Sequence, residues 1–78
     1  MFYVYAIKST FRNYIYVGLT DDIDRRVSQH NNGKSRTTKL YRPFDLIYHE
    51  SLETRPEARQ REKYFKSGAG KEFLKSLE

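Results

Sequence analysis

Five side chains spread over the 78 residues combine types that rarely occur together by accident: Tyr5, Tyr16, Arg26, His30 and Glu62. Two phenols offer oxygens that donate and accept. A guanidinium presents a planar fork that matches phosphate, and an imidazole titrates near neutrality. A lone carboxylate, completed by water and phosphate oxygens, suits Mg²⁺ (or Mn²⁺), which keeps several waters and rarely needs an all-protein cage. Metal, arginine and phenol around one phosphate suggest phosphodiester hydrolysis. The ion would polarise the phosphate and stabilise the leaving oxygen, and Arg26 would neutralise charge building on the phosphoryl group. A tyrosine would orient the attacking water or take its proton. With an ordinary phenol pKa of ~10, a base role needs help from the site's positive charge or from His30. Gly18, two residues past Tyr16, would let the backbone approach a phosphate without interference from a Cβ.

The elements that must carry these residues follow from pattern. Residues 2–8, FYVYAIK, and 14–19, YIYVGL, are β-branched and aromatic runs joined by a short loop, which predicts a hairpin. Both faces of the first run are apolar or aromatic, so it should be a central strand covered on both sides. A hairpin symmetric about Thr10 and Phe11 would set Tyr5 opposite Tyr16, Tyr3 opposite Gly18 and Ile7 opposite Tyr14, with four tyrosines on one face. A first helix should start at Thr20, with Asp21 and Asp22 in its first turn, and stop at the NNG of 31–33. FDLIYHES reads as a third strand, on which His49 has no evident partner. Thr54 should open a second helix through a capping box with Glu57, and Pro56 sits in the tolerant first turn. That helix should run to about Ser67 and end at Gly68 and Gly70, with a last helix over 71–77. The order β-β-α-β-α-α predicts an α+β fold, a small, mainly antiparallel three-stranded sheet flanked by three helices.

On the first helix Ile23, Arg26, Val27 and His30 share one face, and on the second Ala58, Glu62 and Phe65 do. Each inward stripe thus carries a charged group. Two readings stay open. Arg26 and Glu62 could pair at the core edge with His30 as a satisfied imidazole, or they could belong to a site. Ion pairs removed from water stabilise weakly because desolvation offsets the Coulomb gain, and a thin core supports that cost poorly.

Bulk properties narrow the partners. A single domain of this length buries only about 60% of its unfolded surface, and leaves no room for a separate targeting domain. Fifteen Lys and Arg against ten Asp and Glu give a net charge of +5, which favours a polyanion, nucleic acid first. Cysteine is absent, which excludes disulfides and thiolate metal sites. No apolar run reaches the ~18 residues of a membrane span, and the N-terminus lacks a signal-peptide core, so no membrane partner and a cytoplasmic location are expected. DNA contact would use Lys34, Arg36, Lys39 and Arg42 in the basic loop 34–43, with Arg55, Arg59, Lys63 and Lys71 as a second patch.

Taken together, YVY at 3–5, YVG at 16–18 with eleven residues between Tyr5 and Tyr16, DDIDRRVSQHN, and EARQREKYFKSG around Glu62 span nearly the whole chain. In them the chain resembles the GIY-YIG nuclease superfamily. The likeness is greatest to its small single-domain bacterial branch, which resembles the nuclease domain of the bacterial excision-repair endonuclease. The Gly-Ile of the first motif stands here as Tyr3 and Val4. The resemblance implies one nuclease domain over 1–78 and a single-metal, tyrosine-assisted cut of one DNA strand. Its functional positions carry over as Tyr5, Tyr16, Arg26, His30 and the metal ligand Glu62. It also implies DNA processing or repair, with a protein partner supplying targeting as attached modules do in larger relatives. A non-cleaving nucleic-acid-binding module of the same fold is the alternative.

Overall fold

The computed structural model describes residues 1–77. Three strands, β1 (Phe2–Ser9), β2 (Ile15–Thr20) and β3 (Phe44–Leu52), form one antiparallel sheet in the order β2-β1-β3. Three helices accompany it: α1 (Ile23–Asn31), α2 (Arg55–Phe65) and α3 (Gly68–Lys75). This is the expected α+β architecture, with the doubly apolar β1 at its centre. A short 3₁₀ turn, Lys39–Tyr41, interrupts the loop before β3.

Alternation along β1 sorts the core into two halves. Val4 and Ala6 pack with Val17, Ala58, Phe65 and Leu74 under α2 and α3. Tyr5 and Ile7 pack on the opposite face with Phe44, Tyr16 and Val27, beneath α1. A bulge between Ala6 and Ile7 in the β1–β3 ladder lets Ile47 and Tyr48 both join the first half.

The hairpin register differs from the symmetric expectation by two residues. Tyr5 lies opposite Gly18, Ile7 opposite Tyr16 and Tyr3 opposite Thr20. The cause is the loop. Ser9 N–H donates to the Tyr14 carbonyl at 3.0 Å, and the buried Ser9 Oγ accepts from the amides of Phe11 and Arg12 at 3.4 and 3.2 Å. The turn is therefore centred between Phe11 and Arg12. An even shift preserves parity, so every side chain keeps its expected face.

Helix boundaries differ for local reasons. Thr20 still pairs with Tyr3, so α1 begins only at Ile23, capped by Asp22, whose carboxylate accepts from Arg25 N–H at 3.0 Å. Gly33, at φ +75°, follows the end of α1 as expected. The Thr54–Glu57 capping box forms, with Pro56 in the first turn. Yet α2 ends at Phe65, and Ser67 caps a helix that starts at Gly68 rather than at 71. The glycines do not separate the two helices; Gly70 lets them touch. A Cβ there would overlap the Tyr64 carbonyl and lie 2.5 Å from Phe65 Cα. Across the sheet, Arg61 of α2 grips Glu50 of β3 through Nε at 2.6 Å and a terminal nitrogen at 3.1 Å, while the Tyr48 hydroxyl donates to the same carboxylate. Those bonds, led by Arg61, hold the Glu50 carboxyl below its ordinary range. Among the described residues, no helix is long and apolar enough to cross a membrane.

Candidate active site

The site is assembled from β1, β2, α1 and α2 around the hydroxyl of Tyr5. Tyr5 is 1% exposed, and its phenol oxygen lies 2.8 Å from Nε2 of His30, which is 0% exposed. The other ring nitrogen, Nδ1, is 2.7 Å from the hydroxyl of Thr38, also 0% exposed. A neutral imidazole has one donor and one acceptor nitrogen. The two bonds therefore run in a single sense, from Tyr5 through His30 to Thr38 or the reverse.

Both ionisations are displaced. Burial pushes the Tyr5 phenol up to about 12; the charge of a Tyr16 phenolate adds to this, while the Arg26 guanidinium works against it and Glu62 slightly for it. Burial, aided by the positive charge of Arg26, brings His30 down to about 4. The expectation of an imidazole titrating near neutrality is thus corrected: His30 is a neutral hydrogen-bonding bridge at pH 7.

Tyr16 completes the aromatic wall, its ring 4.9 Å from that of His30 and 6.3 Å from that of Tyr5. Arg26 is half-buried on α1, and its guanidinium donates to Gln29 Oε1 at 3.0 Å. Glu62 is half-buried on α2 and paired with the exposed Lys66 at 3.3 Å. Arg26 and Glu62 thus have other partners than each other, against the reading that made them a structural pair. Both still lie near enough to Tyr5 to move its ionisation. All five residues singled out by type and spacing share one neighbourhood.

Gly18 has a different task from the one expected. A Cβ on it would lie 2.5 Å from the Tyr5 hydroxyl oxygen. Its missing side chain makes room for the phenol across the ladder, so it serves the tyrosine rather than a phosphate.

Glu62 is a lone protein ligand: among the described residues no three His, Cys, Asp or Glu gather where they could hold a metal. That donor set fits an ion such as Mg²⁺ that takes one carboxylate and keeps its waters, and does not fit a caged transition metal.

The cations of the basic loop, Lys34, Arg36, Lys39 and Arg42, are all exposed. Arg42 folds back to donate to the Lys39 carbonyl at 2.7 Å. Their loop is fastened to the site through Thr38, a residue that pattern alone does not single out. A threonine among lysines and arginines carries no local mark of burial; only its i+8 placement after an inward histidine hints at it. The second patch also lies outside: Arg55, Arg59, Lys63 and Lys71 are exposed.

Comparison with known proteins agrees with this geometry. Residues 1–74 match the model of the GIY-YIG catalytic domain. The UPF0213 protein YazA of Bacillus subtilis is 47% identical over 66 residues, a stretch covering 83% of this chain and 64% of that protein, just under two thirds of its length. The UPF0213 protein SSP2268 of Staphylococcus saprophyticus is 36% identical over 76 residues, covering 96% of this chain and 92% of that one. The solution NMR structure of the UPF0213 protein BH0048 from Bacillus halodurans superposes with a TM-score of 0.57 at 34% identity, covering 100% of this chain and 86% of that one. With the spaced tyrosines, the α1 arginine and histidine and the α2 glutamate all on one matched domain, the chain belongs to the GIY-YIG catalytic domain family.

Proposed function

We propose that residues 1–78 form one nuclease domain that hydrolyses DNA phosphodiesters with a divalent metal, one strand per site, in DNA processing or repair. The observation that carries this reading is the convergence on Tyr5: His30 bonds its hydroxyl, Tyr16 stands beside it, and Arg26 and Glu62 bias it from α1 and α2.

Glu62 would hold Mg²⁺ or Mn²⁺, which when bound supplies positive charge to the phosphate. Arg26 would bind a phosphoryl oxygen and stabilise the charge that grows there. His30, neutral and itself held by Thr38, fixes the Tyr5 hydroxyl in one orientation, so that the phenol can position the attacking water. A phenol near 12 keeps its proton at rest. Its use as a base therefore requires the positive charge of the loaded site, and Tyr16 stands next to it for the same exchange. Lys34, Arg36, Lys39 and Arg42 would contact backbone phosphates.

The test is cleavage of labelled branched and duplex DNA with Mg²⁺ or Mn²⁺. The native protein should cut, EDTA should stop it, and Glu62→Ala should lower the rate at least about a hundredfold, as removal of a key electrostatic group does. The second reading, a non-cleaving binding module of the same fold, draws support from the Lys66 ammonium already paired with Glu62. DNA binding without any metal-dependent cutting would establish it instead.

A further inference from the structure

The hairpin tip carries a second group of rings that the hydrolytic site does not use. Tyr14 and Tyr41 stack with centroids 4.1 Å apart and planes within 12°. The Arg12 guanidinium lies 5.7 Å from the Tyr41 ring and 5.5 Å from Phe11, and Phe11 is 58% exposed. These four residues and Asn13 line a surface groove of about 660 Å³.

The tip is held for this arrangement. Ser9 Oγ takes the amides of Phe11 and Arg12, and Thr10 N–H donates to the Pro43 carbonyl at 3.0 Å, joining the hairpin to the basic loop. Phe11 and Arg12 are therefore presented on a braced turn, and Phe11 contributes to neither half of the core. From Tyr14 the rings continue through Phe44, at 6.3 Å, to His30, at 6.1 Å from Phe44. The groove thus lies one ring beyond the wall of the hydrolytic site.

We propose that this groove binds one unpaired nucleobase of a DNA strand, stacked against Phe11 and the Arg12 guanidinium with its edge toward the Asn13 amide. The proposal rests on the nuclease reading and adds a substrate preference to it. Three features favour a base over an apolar peptide. A guanidinium between two rings offers a planar cationic surface that stacks on any base. The neighbouring loop carries Lys34, Arg36, Lys39 and Arg42, all exposed, which complements a polyanion. An amide side chain matches the paired donor and acceptor of a base edge. A base inside a duplex is already stacked on both faces and paired, so only an unpaired or extruded one can enter. The chain would therefore prefer strands with a single-stranded segment next to the cut.

The experiment measures binding, in EDTA so that nothing is cut, of an oligonucleotide carrying a fluorescent purine analogue, alone and annealed to its complement. The single strand should bind about fivefold more tightly or better than the duplex and lose fluorescence on binding. Phe11→Ala and Arg12→Lys should each remove most of that preference and the quenching. Arg12→Lys keeps the charge, so its loss reports stacking rather than attraction to phosphate, and Phe11→Tyr should restore native behaviour. Equal affinity for strand and duplex, unquenched fluorescence, or variants that bind like the native protein would overturn the proposal. So would tighter binding of the ribose counterpart, which would assign the groove to RNA. If Mg²⁺-dependent cutting of duplex persists in that case, the nuclease reading stands alone. If binding and cutting are both absent, the two fall together.

Discussion

Around the Tyr5 hydroxyl, single atoms decide whether the site exists. Adding one methyl group at Gly18 places carbon 2.5 Å from the phenol oxygen, and that phenol is wedged between His30 and the sheet. Gly18→Ala should cost about 1–3 kcal/mol of stability by overpacking, seen as a lower urea midpoint. It should also lower cleavage by more than that stability loss explains, because the Tyr5–His30 bond must lengthen. His30 makes a second, pH-dependent prediction. Its folded pKa of about 4 lies below the ordinary value of 6.5, so between those values the unfolded chain binds more protons. The contribution of the neutral imidazole is complete above about pH 6.5 and is lost as pH falls toward 4. Urea midpoints from pH 7 to 4.5 should fall more steeply for the native protein than for His30→Gln, which keeps a polar group but cannot titrate. Residue types and spacings made Tyr5, Tyr16, Arg26, His30 and Glu62 legible in the sequence, since each brings a chemical group at a recognisable interval. The true tasks of Gly18 and Thr38 were not legible. Both depend on what lies across the fold, a tyrosine on the next strand and a histidine on a helix, and neither leaves a periodic trace.

Between elements, the contact of α2 with α3 depends on a glycine that local rules read as a stop. The sequence pattern Ser-Gly-Ala-Gly suited a helix end, and only the packing of two helices distinguishes a terminator from a point of close approach. The two glycines separate these roles. Gly70→Ala should destabilise the protein by ~2 kcal/mol or more, because backbone rather than a flexible side chain blocks the new methyl group. Gly68→Ala meets nothing within 4 Å and should leave the midpoint unchanged or slightly raised. A loss at both positions of equal size would mean that helix propensity, not contact, governs this corner. The strand and helix assignments themselves were readable because β-branched runs and the Thr54 capping box act within a few residues. Register was not, since it was set by the Ser9 hydroxyl drawing in two loop amides.

At the scale of the whole molecule, charge and shape divide the work. The +5 net charge attracts a polyanion from any direction, whereas the Thr38–His30 bond pins the basic loop beside the site. If Lys34, Arg36, Lys39 and Arg42 each neutralise one phosphate, replacing all four with Ala should reduce the slope of log K against log salt by about 3–4 on duplex DNA. An unchanged slope would remove the loop from the interface.

The two-residue offset of the β1–β2 hairpin carries a rule about length. Deleting or inserting two residues between Ser9 and Tyr14 would slide Tyr16 and Gly18 along β1 yet leave them under α1. A change of one residue would turn Tyr16 toward α2 and bring Ile15 and Val17 to the α1 side, unless a bulge absorbed it. Loops of this hairpin in working relatives should therefore vary in length by even steps, with odd steps accompanied by a bulge in β2.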